Sequence, residues 1–371
     1  MQLEIHSRRS LKMCKCLTMN KVCVIAPANL KYVPYYKYYT DILDASGICY
    51  DIISWDRAGI EEKVSFSMKY PAKDFDRKRM LWGYLKFGQF CRRIISKQQY
   101  EKIIFLTVAP VFFCGPFLLN KYKGKYWLDI RDYSPIVHYF PWCFEAICRN
   151  AWKIVVSSPS FNSWIKAPTI ICHNADVNQI KNSAGLYVKR PEHADSLRIV
   201  FAGMMIEEDI NIRVLDCYKN SEKICFSFIG RDIEGKQKIE TFVKKNGINN
   251  VLFEGAYKKE DIIEIYREKA DFVNIFRANT IINKNALPNK LYDAVISGVP
   301  VIVFDHNEAI VSFVEKYNLG IVMNEAQIGM LPELMNSFDF SAYEVGRKQF
   351  LEQVIEDMAS FKKTLLSYVA K

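Results

Sequence analysis

The sequence predicts an α/β protein made of two Rossmann-like domains facing across a cleft, and three observations predict it. Short apolar, β-branched runs alternate with helical segments, the pattern of parallel sheets covered by helices on both faces. The alternation lapses once into a polar stretch and then restarts, giving two similar units with a ligand crevice expected between them. The last segment reads as helix with no strand after it, free to pack across domains. A chain of 371 residues, half of them apolar and 25% charged, has room for two or three domains with real cores.

Taken in order, residues 1–18 are basic but lack an apolar secretory core and read as a poorly ordered extension. The N-terminal domain is expected over 19–175, with strands at 22–26, 50–54, 102–106, 126–130, 153–156 and 169–172. The turn after the first strand, Pro27 to Pro34, contains no glycine, so a Gly-x-Gly-x-x-Gly dinucleotide loop is absent and an NAD or FAD enzyme is disfavoured. Asn29 and Tyr32 are acceptor-side candidates in this loop. The tyrosines at 32, 35, 36, 38 and 39 either line a pocket or pack the following helix on the sheet.

Between Arg77 and Lys97 lie seven basic residues and no acidic one. Arg79, Lys86, Arg93 and Lys97 share one helical face, while Met80, Tyr84, Phe87, Cys91 and Ile94 form an apolar stripe. Contact with an anionic bilayer and a merely solvated face both fit this pattern. The uncharged run 103–120 is nearly long enough to span a membrane. Pro110, Gly115 and Pro116 make a buried strand followed by a helix the better reading. After the fourth strand, Asp129-Ile-Arg-Asp132 puts charges at the C-terminal end of an apolar run, the end that faces ligands in open α/β sheets. Asp129, Arg131 and Asp132 are therefore catalytic candidates, with an Asp–Arg pair that ties the loop as the alternative.

Residues 176–196 form the expected linker, rich in Lys181, Asn182, Lys189 and Arg190. The second domain, 197–340, repeats the pattern with strands at 198–202, 224–229, 251–253, 272–276, 299–304 and 320–323, and 341–371 is helical. Within this domain Pro288 is suited to the first position of a helix that Gly298 and Pro300 stop. The helix start lies beside Leu287, and its orphan N–H groups, with Asn289 and Lys290, make a natural phosphate site. Asp293 sits a turn further on, able to accept from hydroxyls. A plain αβ connection is the competing reading.

A net charge of +10 suggests an anionic partner without choosing among nucleic acid, membrane and phosphorylated substrates. The eleven cysteines show no Cys-x-x-Cys spacing and no clustering with the five histidines, so no metal site is expected and a reducing compartment fits.

Together these residues resemble the GT-B-fold glycosyltransferases, specifically the retaining family-four type of bacterial capsule, exopolysaccharide and lipopolysaccharide synthesis. Ile199 to Gly203, Phe228 to Gly230 and Val251 to Gly255 look like that family's strands and glycines, 288–303 like its donor-site helix, and Ile171 to Asp176 like the end of its first domain. The resemblance implies a terminal helix crossing back to the N-terminal domain. It also implies transfer of a sugar from a nucleoside-diphosphate sugar to a lipid-linked glycan acceptor, with no cofactor, metal or nucleic acid, at the inner face of the plasma membrane. Asp293 and Asn285 stand where the family has the two glutamates of its Glu-x7-Glu motif, for ribose and donor sugar respectively. Gly203 matches the glycine that admits the diphosphate, and Gly230, Arg231, Gly255 and Tyr257 match loops around the base. The Arg and Lys that usually follow the first glycine are missing, with Glu207, Glu208 and Asp209 standing there, and Lys290 or Arg231 is expected to supply the charge. A silent nucleotide-binding subunit and a nucleotide-sugar epimerase of the same fold are the alternatives.

Overall fold

The computed structural model describes residues 22–60, 67–71, 80–183, 185–191 and 196–370. The chain divides into two compact units, residues 1–172 with 359–371, and residues 173–358. The first unit holds β1 (Val22–Ala26), β2 (Tyr50–Asp56), β3 (Ser67–Pro71), β4 (Lys102–Leu106), β5 (Tyr126–Ile130), β6 (Lys153–Val156) and β7 (Thr169–Ile171). They pair in the order β3-β2-β1-β4-β5-β6-β7, every pair parallel. Every residue of β1 and β5 is buried, as continuous apolar runs covered on both faces should be. Strand β3 was not expected. Its sequence, Ser-Met-Lys-Tyr-Pro, carries a lysine and a proline that only an edge position tolerates. The apolar run from 103 resolves into β4 and the helices Val108–Phe113 and Gly115–Lys121, and no helix among the described residues is long and apolar enough to cross a membrane.

The second unit holds β8 (Leu197–Ala202), β9 (Ile224–Ile229), β10 (Val251–Glu254), β11 (Phe272–Ile275), β12 (Val301–Phe304) and β13 (Gly320–Met323). Their order, β10-β9-β8-β11-β12-β13, is that of a doubly wound sheet whose direction of winding reverses between β8 and β11. Loops leaving the C-terminal ends of those two strands therefore open onto the expected ligand position. The helix before β12 runs Asn289–Ser297, with Pro288 as its N-cap at ψ 147° rather than as its first residue. Gly298, at φ +74°, closes it in the left-handed conformation. β12 begins at Val301, two residues later than expected, because the Val299 amide turns back to the Ala294 carbonyl at 3.0 Å and Pro300 has no amide to offer.

The final helix, Phe340–Ala370, belongs to the second unit through residue 358 and to the first from residue 359. In the second unit its Arg347 donates to the carbonyls of Val295 at 2.6 Å and Ile296 at 2.9 Å, satisfying the C-terminal end of the 289–297 helix. In the first unit Phe361 packs edge-on against Tyr39, and the Tyr368 hydroxyl accepts from the Ile103 amide at 3.1 Å and donates to the Lys125 carbonyl at 2.7 Å.

Candidate functional site

In the second unit, four segments converge at the reversal point of the sheet. Gly203 leaves β8 at φ +127°, and a side chain there would lie 3.4 Å from Lys290 Cε and 3.9 Å from the Tyr257 hydroxyl. Gly230 leaves β9 so close to Gly203 that an added Cβ would stand 2.2 Å from the Gly203 carbonyl oxygen. Glycine is thus required twice, once for conformation and once for contact, and both loops present bare backbone. Among the described residues no side chain caps the 289–297 helix, a start of the kind that can take an anion. Lys290, in its first turn, holds its ammonium 3.5 Å from the centroid of the Phe201 ring.

The charges here are not neutralised in place. Lys290 is pushed down to about 7, first by burial and then by Arg277, against the pull of Glu207 and Asp293. Asp293 is pushed up to about 6 by burial, opposed by Lys259 and Lys290. The Tyr257 hydroxyl is raised by burial and by Asp293. Tyr266 is fully buried, its hydroxyl raised well above its ordinary value by burial first and then by Asp293 and Tyr257, and among the described residues that hydroxyl has no hydrogen-bond partner. A cation, a carboxylate, open helix amides and bare glycine backbone can together hold a diphosphate and a diol.

The remaining donor-side expectations are distributed differently. Leu287 is buried in the core, so its side chain cannot meet a ligand. Asn289, Arg231 and Gly255 are exposed. Asn285 ends the short helix Ile281–Asn285, and its amide donates to the Ile281 carbonyl at 3.0 Å. Sequence reasoning missed Arg277 and Tyr266. Arg277 follows β11 on the other side of the reversal point, acts electrostatically on Lys290 and lies 4.0 Å from Glu207. The acidic run after Gly203 is occupied internally: Glu207 accepts from the Ala278 amide at 2.6 Å and Asn283 at 2.7 Å, and Glu208 pairs with Lys238 at 2.6 Å. The position rule for C-terminal strand ends was available for Arg277; nothing local marked Tyr266.

Behind this helix lies a buried histidine. His173 Nδ1 is 2.8 Å from the Tyr292 hydroxyl and Nε2 is 2.9 Å from Asp357, so one ring ties the start of the second unit to the 289–297 helix and to the final helix.

In the first unit the expected catalytic residues form a different arrangement. Asp129 is fully buried, bridged by Arg131 through both oxygens at 2.8 and 2.9 Å and receiving the Tyr39 hydroxyl at 2.6 Å. Arg131 also donates to the Cys172 carbonyl at 2.8 Å, and its guanidinium lies under the Tyr35 and Tyr38 rings at 4.7 and 5.5 Å. Both were catalytic candidates with a loop-tying pair as the alternative, and their burial and mutual bonding fit the tie between strand, loop and helix. Asp132 alone of the three is exposed. Asn29 is likewise internal. It accepts the Arg57 and Ala58 amides at 3.0 Å each and donates to Asp56 at 2.7 Å, joining the loops after β1 and β2, whereas Tyr32 is exposed. Thr107, just after β4, sits at φ +93°, a conformation costing a β-branched residue about 1–3 kcal/mol and invisible in sequence. Of the basic face, Lys86, Arg93 and Lys97 are exposed on the helix Met80–Gln98, and Arg79 lies outside the described residues.

No family model matches the chain, and no curated protein is similar to it in sequence. Solved structures are similar in fold. A sucrose-phosphate synthase from Thermosynechococcus elongatus superposes with a TM-score of 0.67 at 13% identity, covering 94% of this chain and 99% of that one. The fold is GT-B. A lipopolysaccharide outer core galactosyltransferase in its apo form gives 0.64 at 11% identity over 94% of this chain and 99% of its own. An Anabaena protein, HepE, in complex with UDP and glucose gives 0.61 at 13% identity over 93% and 99%.

Proposed function

We propose that the protein is a glycosyltransferase that binds a nucleoside-diphosphate sugar at the reversal point of its second sheet. The observation that carries this is the convergence of Gly203, Lys290, Asp293 and an uncapped helix start at one strand-end position. Lys290, Arg277 and the helix amides hold the diphosphate, whose developing charge on departure they stabilise without reorganising. Asp293 accepts from the ribose hydroxyls, and Tyr257 and Arg231 border the base. Arg277 replaces the cation absent after Gly203. On the first unit, Asp132 and Tyr32 are the acceptor-side groups left exposed. The finer reading follows the sequence resemblance: a retaining, metal-independent transfer onto a lipid-linked glycan, by a cytoplasmic protein peripheral to the membrane.

A second reading is a nucleotide-binding subunit without transfer activity. It is favoured by Asn285, which lacks the charge expected for a sugar contact and spends its amide on Ile281. Calorimetric titration with a panel of nucleoside diphosphates, followed by assay of donor hydrolysis with and without EDTA, tests both. Binding of one base with metal-independent turnover supports transfer; binding without turnover selects the second reading; binding of none overturns the donor site.

A further inference from the structure

Large apolar side chains left in water on the first unit concentrate in two segments. One is the start of the helix Met80–Gln98, where Leu81 and Trp82 are exposed, Trp82 to 67%. The other is 139–142, where Tyr139, Phe140 and Trp142 are exposed, Trp142 to 86%. Their bases are joined through the core side. The Tyr84 ring stacks on Phe113 at 5.5 Å, Phe113 meets Phe112 at 5.3 Å, and Phe112 meets Phe140 at 5.2 Å, a continuous aromatic bridge from one segment to the other.

Packing does not explain the outermost residues. The 80–98 helix buries Phe87, Gly88, Cys91 and Ile95, and Trp82 lies on the opposite face at helical spacing from Lys86 and Arg93, both exposed. The helix Pro141–Asn150 buries Phe144, Ile147 and Cys148, leaving Trp142 outside. Neither 80–98 nor 133–142 contains an acidic residue. Exposed tryptophan and tyrosine beside lysine and arginine, with no carboxylate among them, match the interface of an anionic bilayer, where aromatic rings sit at headgroup level and cations meet phosphates. A protein interface would be expected to carry opposite charges for register.

We infer that Trp82 and Trp142 are interfacial anchors that insert into an anionic membrane, with Lys86 and Arg93 held at the headgroups beside them. This deepens the peripheral-membrane part of the proposed function but does not depend on sugar transfer. Rings contribute a salt-resistant part of the affinity and cations a salt-sensitive part.

The test is sedimentation of the full chain with vesicles of phosphatidylcholine alone or mixed with phosphatidylglycerol, alongside tryptophan fluorescence. The wild type is expected to bind the anionic vesicles with a blue shift in emission. The double variant Trp82→Ser/Trp142→Ser should lose about tenfold in partitioning at every salt concentration, given the area two indoles bury. Lys86→Gln/Arg93→Gln should lose about fivefold per charge at low salt and show a flatter salt dependence. Absence of binding to anionic vesicles by the folded wild type overturns the inference. So does a concentration-dependent dimer, in ultracentrifugation without lipid, that the tryptophan double variant abolishes, for the patch would then be a contact between copies. Nucleotide titration is separate from both outcomes, so failure here leaves the donor site standing.

Discussion

Each unit carries a charged cluster on the side of its sheet where the strands end, after β5 in one and beside β8 in the other, and the two are built in opposite ways. After β5, Asp129 and Arg131 are deeply buried and engage each other, Tyr39 and a main-chain carbonyl. Beside β8, Lys290 and Asp293 are half-buried and held away from their ordinary titration ranges by burial. The first cluster has completed its bonding within the chain. The second keeps charges displaced by burial, a helix start with no side-chain cap and, among the described residues, an unpartnered hydroxyl, each of which costs stability. Charge at a strand end is therefore weak evidence of function; charge left incomplete there is stronger.

The largest effect that sharpens this contrast is loss of one partner in the completed cluster. Arg131→Ala strands a buried carboxylate and should cost about 3–5 kcal/mol, read as a lower midpoint in urea unfolding. Lys290→Ala removes a charge that burial disfavours and should leave the midpoint unchanged or raised. Equal losses from the two substitutions would erase the distinction. Tyr39→Phe comes next. Its hydroxyl donates to Asp129 and lies 3.1 Å from Trp127 Nε1, so about 1.5–3 kcal/mol should be lost in the same assay.

Asp293→Ala should weaken nucleoside-diphosphate binding by roughly tenfold or more, because each hydrogen bond to a charged acceptor is worth about 1.5–3 kcal/mol. Asp293→Glu should be milder. Unchanged affinity in a folded Asp293→Ala protein removes the ribose assignment.

Titration gives a subtler signature. The free site is charged for binding when Asp293 is ionised, above about 6, and Lys290 protonated, below about 7. Affinity should therefore peak between these values and fall on either side. A bound diphosphate raises the Lys290 value, so above pH 7 binding should take up a proton, detectable as a dependence of the calorimetric heat on the buffer's ionisation enthalpy. For folding the sign is separate: the raised Asp293 value favours the protonated carboxyl, so its contribution is fullest below the ordinary carboxylate range and is lost as pH rises through about 6. A flat affinity from pH 5 to about 8 would argue against both assignments.

The fold was legible because parallel strands buried on both faces read as unbroken apolar runs. Lys102–Leu106, Tyr126–Ile130 and Ile224–Ile229 fall where the periodicity puts them. β3 was not, since an edge strand need not be apolar. Of the candidate site's geometry, the helix carrying Lys290 and Asp293 and its Gly298 cap were legible from local chemistry, and Gly203 entered only through the family resemblance. For Asp129, Arg131 and Asn29 the sequence left the choice open, because it shows which groups are charged or polar but not what they are already bonded to. Arg277 and Tyr266 come from elsewhere in the chain, and only tertiary packing brings them to Lys290 and Asp293.

The smallest expected effect makes the sharpest comparison. Tyr39 and Tyr266 are both fully buried tyrosines, and in each the same single oxygen can be removed. Tyr39 has a donor and an acceptor on its hydroxyl, whereas the Tyr266 hydroxyl has neither and already carries the desolvation cost of an unmade bond. Tyr266→Phe should therefore leave the unfolding free energy within about 0.5 kcal/mol or raise it by about 1 kcal/mol, where Tyr39→Phe lowers it. If the hydroxyl serves a ligand, nucleoside-diphosphate affinity will fall while stability rises, the trade expected of a group kept incomplete for binding. A Tyr266→Phe protein destabilised as much as Tyr39→Phe would show that its oxygen is satisfied after all, and that the second cluster is as closed as the first.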